Sequence, residues 1–107
     1  MNTPLRHGAL GAIASALLAA SSPALAQDAT LARNLAATCA NCHGTNGQAR
    51  GEMVSLAGRP ADQLLTILSG YRSGAIPATI MHQIVKGYTE PQLQLIAGHF
   101  AAQKPVR

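Results

Sequence analysis

The chain has no tryptophan, one phenylalanine and two tyrosines in 107 residues. So few large side chains cannot fill the interior of a small domain, and domains with this shortage draw on a disulfide, a metal or a cofactor. Acidic residues are scarce as well. Four Asp and Glu stand against eight Lys and Arg, a formal net charge of +4. The basic residues are spread singly rather than gathered in a stripe, which speaks against a nucleic-acid footprint. They read first as an ordinary solvated surface, and second as a modest basic rim that can steer an acidic protein partner. With only two cysteines, a framework of several disulfides is excluded. No repeat or low-complexity tract is present.

A membrane-spanning run is also missing. The longest apolar stretch, Ala9 to Ala20, is shorter than the ~20 residues a spanning helix requires. Arg6 and His7 precede it, Pro23 breaks it, and Ala24-Leu25-Ala26 supplies a small-x-small cleavage signal. Residues 1–26 thus read as a secretory signal peptide, with an uncleaved anchor as the weaker reading. Residues 27–107 are then one small exported domain beginning at Gln27. No twin arginine opens the leader, so the chain is expected to cross unfolded. A bacterial periplasm is the expected compartment, with no membrane span after cleavage.

Both cysteines fall in one segment, Cys39-Ala40-Asn41-Cys42-His43. Cys-x-x-Cys-His is the attachment signature of a c-type haem. Two thiols add across the two haem vinyl groups to give thioethers, and the imidazole supplies a nitrogen to the iron. On a helix, Cys39, Cys42 and His43 share one face, so one turn can hold the porphyrin edge and its metal. Three other readings of close cysteines compete: a simple disulfide, a redox pair and a zinc site. A thioredoxin-like pair sits on a βαβ scaffold, and no strand pattern precedes Cys39. A zinc site needs a fourth ligand and usually a second ligand pair, for which only the scattered His82 and His99 are available. One covalent haem c is the expected cofactor.

The rest of the chain reads as all-α, three or four helices and loops around the haem. Asp28 is the expected cap of a first helix, with Leu31, Leu35, Ala36 and Cys39 at helical spacing. Gly44, Gly47, Gly51 and Gly58 then mark an aperiodic loop expected to lie over one haem face. Pro60 opens a second helix from Ala61 to about Tyr71 or Arg72, with Leu64, Leu65, Leu68 and Tyr71 on one face, ended by Ser73-Gly74. After the extended Ile76-Pro77, residues 78–86 are expected to hold a short helix closed by Gly87. Thr89 and Gln92 form a capping box, and the last helix offers Leu93, Ile96, Ala97 and Phe100 to the core.

A haem iron held by one histidine needs a sixth ligand. A thioether favours Fe(II), raises the potential and closes the iron to small molecules. Met81 follows the extended stretch, far enough from His43 for the chain to round the ring, and is the first candidate. Met53 in the glycine loop, His82, or an open site are the alternatives. Arg59, Arg72, Tyr71 and Tyr88 are candidate donors to the haem propionates, and His99 is expected in solvent.

With the Cys39–His43 motif ending a first helix, and Met81 ahead of a capped last helix, the chain resembles the class I cytochrome c family over residues 28–103. Cys-His-Gly-Thr-Asn-Gly at 42–47, Leu-Ala-Gly-Arg-Pro at 56–60 and Tyr-Arg-Ser-Gly at 71–74 are similar to its c4 and c553 branch. Pro-Ala-Thr-Ile-Met at 77–81 with Lys-Gly-Tyr-Thr at 86–89 resembles the cytochrome subunits of flavocytochrome c sulfide dehydrogenases. The resemblance implies His43 as proximal and Met81 as distal ligand, and a crossing of terminal helices marked by Ala32 or Ala36 and Phe100. It also implies a redox partner, a flavoprotein sulfide dehydrogenase subunit.

Two features depart from that pattern. No proline lies between His43 and Pro60, although the family often uses a carbonyl beside such a proline to hold the haem histidine, so another carbonyl must do so. The sulfide-oxidising subunits can carry two haem domains, and this chain has one motif. The expected function is a non-catalytic electron carrier. A haem catalyst or small-ligand sensor with an open or labile sixth site is the competing class.

Overall fold

The computed structural model describes residues 23–105, with side chains from Asp28 onward. Four α-helices follow in order: α1 Pro23–His43, α2 Ala61–Ser73, α3 Met81–Ile84 and α4 Glu90–Ala101. A 3-10 turn, Thr45–Gly47, follows α1, and a second, Val85–Gly87, extends α3. No strand occurs among the described residues, so the all-α expectation holds. The leader expected at residues 1–26 lies outside the described residues except for its last four, which form the first turn of α1.

Asp28 therefore does not cap α1; the helix runs through it from Pro23. The Ala-Leu-Ala stretch ahead of Asp28 is strongly helix-forming, and proline suits the first helical position. The expectation for 78–86 also needs correction. The helix begins only at Met81, and Gly87 lies in the 3-10 turn rather than in a left-handed cap. By contrast α2 ends where the sequence placed it, on Gly74 in the left-handed conformation at φ 80°. Thr89 accepts from the Gln92 N–H while the Gln92 side chain accepts from the Thr89 N–H, completing the capping box of α4.

The core is the crossing of α1 and α4, closed by α2. Ala36 from α1, Leu64 from α2, and Leu93, Ile96, Ala97 and Phe100 from α4 form its buried cluster. Ala32 is buried one turn before Ala36. Alanines let the two helix backbones approach closely, and Phe100, 2 % exposed, is the one large ring inside. Among the described residues, four of the nine buried apolar ones are alanines, so the protein part of the interior is thin, as the composition foretold.

The segment from Gly44 to Pro60 has little regular structure but is well tied. The Gly47 carbonyl accepts from the Leu56 N–H at 2.8 Å and the Ala57 N–H at 3.1 Å. The Gly58 N–H donates to the Phe100 carbonyl at 2.9 Å, and Gln48 Nε2 to the Lys104 carbonyl at 3.1 Å. Glycine is required at 47. Its φ is +74°, and a Cβ there would stand 2.7 Å from Phe100 Cδ1. The loop is thus fastened to the end of α4 by one main-chain bond, and to the segment just after it by one side-chain bond.

Candidate haem site

The last turns of α1 place the motif. Cys39 is half-buried against the core, Cys42 exposed and His43 half-buried, with both sulfurs unpaired. Gly44 stops the helix one residue later, its N–H still donating to the Ala40 carbonyl at 3.0 Å. At φ +82°, with Gln48 O only 2.0 Å from where a Cβ would lie, this position excludes any side chain. The chain turns away at once, leaving His43 at the helix end.

His43 Nδ1 lies 2.7 Å from the Val54 carbonyl oxygen. A carbonyl only accepts, so Nδ1 carries the proton and Nε2 keeps its lone pair free. This is the support a metal-ligating imidazole needs, and it supplies the carbonyl whose identity the missing proline left open. Nothing in the side-chain pattern singles out Val54, because the interacting group is main chain.

Cys39 and Cys42 are poorly suited to thiol–disulfide exchange. Burial pushes the Cys39 thiol up from its ordinary value, and Cys42 adds to the rise. A redox-active Cys-x-x-Cys needs a depressed thiol, commonly at a helix N-terminus, whereas this motif closes its helix. Zinc is equally unsupported, since no group of three or more His, Cys, Asp or Glu is gathered among the described residues.

The residues fit a haem. Two unpaired thiols and one free imidazole nitrogen stand within one turn, the donor set that the group requires. The large apolar side chains left exposed among the described residues are Leu31, Met53, Val54 and Ile80. Val54 belongs to the segment that holds His43, and Ile80 immediately precedes Met81, so apolar surface lies on the chain segments that would flank a porphyrin.

Met81 is half-buried at the first residue of α3, and Met53 is 46 % exposed in the loop. His82 has its Nδ1 buried without a hydrogen-bond partner. It lacks the support that His43 has, which weighs against it as an iron ligand. Arg72 is not free for a propionate. Its guanidinium donates to Glu90 Oε2 at 3.0 Å, to the Val85 carbonyl at 3.1 Å and to the Tyr88 carbonyl at 2.5 Å. Tyr88 packs against the core, and Arg59 and Tyr71 are half-buried. His99 is half-buried rather than solvated, edge-on to Phe100 with ring centroids 5.3 Å apart. Burial, with Arg33 nearby, lowers its pKa from the usual 6.5.

Comparison with known proteins agrees with the site. No family model matches the chain. It is 31 % identical over 94 residues to a cytochrome c-553 of Nitratidesulfovibrio vulgaris, a match covering 83 % of this chain and 89 % of that protein. It is 35 % identical over 66 residues to the cytochrome subunit of sulfide dehydrogenase of Chlorobaculum tepidum, covering 62 % of this chain and 60 % of the relative. A cytochrome c-552 of Acidithiobacillus ferridurans is 31 % identical over 64 residues, 60 % of this chain but 28 % of that protein. These last two relatives are matched over less than two thirds of their length. The chain belongs to the class I cytochrome c family.

Proposed function

We propose that residues 27–107 form a mono-haem carrier of single electrons, exported to a periplasm by residues 1–26 and ligated by His43 and Met81. The observation that carries this reading is the Val54 carbonyl on His43 Nδ1, on the turn that presents two unpaired thiols. Bound haem supplies one-electron exchange between Fe(III) and Fe(II). The protein's part is to hold it. Cys39 and Cys42 fasten it through thioethers, and His43 offers Nε2 in an orientation fixed by a main-chain acceptor. Met81 offers a soft sulfur that favours the reduced state and keeps exogenous ligands off the metal.

Held by His43 and Met81, the iron would be closed to exogenous ligands, which supports a carrier rather than a catalyst. The likeness to a cytochrome subunit of sulfide dehydrogenase, with the resemblance at 77–81 and 86–89, supports a flavoprotein sulfide dehydrogenase subunit as electron donor. The protein purified from its native source should have the mass of residues 27–107 plus one haem, and the oxidised form the weak far-red band of methionine–Fe(III) ligation. A flavin-containing subunit should co-purify. A colourless protein defeats the whole reading. Rapid carbon monoxide binding by the reduced form without that band defeats the ligand set, and a haem protein isolated without flavin defeats the partner.

A further inference from the structure

The segment that carries Met81 runs from Gly74 to Tyr88 and contains a single four-residue helix and one 3-10 turn. Such a short helix has little stability of its own, and Ile80 gives it no side-chain cap. Its hydrogen bonds to the rest of the molecule converge on the last turn of α2. At the entry, the Ile76 N–H donates to the Gly70 carbonyl at 3.1 Å. Ile76 also lies directly on Gly70: a Cβ at 70 would stand 2.5 Å from Ile76 Cδ1 and 2.7 Å from Cγ1. At the exit, Arg72 donates to the Val85 and Tyr88 carbonyls while its other nitrogen pairs with Glu90 on α4. Val85, 1 % exposed, is the apolar peg between these points.

We infer that Gly70 and Arg72 are positioning residues for Met81, a two-point clamp by which α2 sets how tightly the sulfur is held on the iron. The inference rests on Met81 as the axial ligand. Gly70 makes a notch that lets the strap cross the helix within hydrogen-bonding distance. Arg72 holds the two carbonyls that follow α3, and its planar guanidinium presents donors to three acceptors in a fixed fork that a lysine ammonium on a flexible stem does not reproduce. Neither residue is asked to touch the haem. Losing either should free the strap at one end and let Met81 leave the iron more often, with the rest of the fold intact.

The test compares haem-loaded Arg72→Ala, Arg72→Lys, Gly70→Ala and Glu90→Gln with a control, Leu64→Ala, which weakens the core from the first turn of α2 and leaves the hydrogen bonds at Gly70 and Arg72 in place. Added imidazole should bind the ferric Arg72→Ala protein about tenfold faster or more, since charged hydrogen bonds to two carbonyls are lost. Gly70→Ala should behave similarly. Arg72→Lys, with one ammonium for three acceptors, should fall between and serves where the alanine variant does not load. Glu90→Gln should stay near wild type, because the carbonyl bonds remain. In the same proteins the Ile76 and Tyr88 amides should exchange hydrogen faster in the clamp variants, while amides of α4 do not. Equal acceleration by Leu64→Ala, or by Glu90→Gln, would overturn the clamp, as would unchanged exchange at 76 and 88. Failure of the ligand reading has a different signature. Met81→Ala would then keep the far-red band, and the amide exchange would still report on the clamp.

Discussion

At the scale of single residues, the two candidate sulfurs are separable by substitution. Met81→Ala should leave haem attached, lower the midpoint potential and open the iron to carbon monoxide. Met53→Ala should change neither, and potentiometric titration with a carbon monoxide difference spectrum checks both. A loss of potential in the Met53 variant alone would reverse the assignment. His43→Ala should abolish haem loading, read as loss of colour in the exported protein.

The cysteines and His43 were legible in the sequence because their chemistry lies in side chains at fixed spacing. Val54 and the anchoring role of Arg72 were not, because their partners are carbonyls, which every residue carries. Gly70 left a trace, since a glycine inside a helical pattern costs about 1 kcal/mol and asks for a packing reason.

At the scale of elements, the α1–α4 crossing and the glycine loop bear the stability. Phe100→Ala removes the one large buried ring and should cost ~3–5 kcal/mol, measured by denaturant unfolding of the haem-loaded protein. Gly47→Ala meets both an unfavourable φ and the Phe100 ring, and should cost about 1–3 kcal/mol. A cost near zero for Gly47→Ala would mean the loop is looser than its hydrogen bonds imply.

The helix faces, the capping box and the stop at Gly74 were readable from period and cap chemistry. The start of α1 and the span of α3 were not. Good helix formers carried α1 back past Asp28 to Pro23. The start of α3 depends on where Ile76 crosses α2, a tertiary contact that no local pattern encodes.

At the scale of the whole molecule, acid should weaken the fold through His99. Its folded pKa lies below the unfolded value near 6.5, so the unfolded chain takes up the proton first. The imidazole thus costs nothing well above pH 6.5. Stability falls as the pH drops through 6.5 toward the folded pKa, then levels off. His99→Gln should flatten that part of the stability–pH curve, followed by thermal unfolding across the range. Arg33→Gln should flatten it slightly, since Arg33 is the lesser of the two causes.

Holding the His43 imidazole by a peptide oxygen has a consequence for anyone mapping this cytochrome by mutagenesis. An alanine scan would miss the hydrogen bond at position 54, because truncating the valine leaves its acceptor in place. Control of that ring resides in the path of the polypeptide, so it is reached by shortening or re-routing the 44–60 segment, or by replacing an amide with an ester.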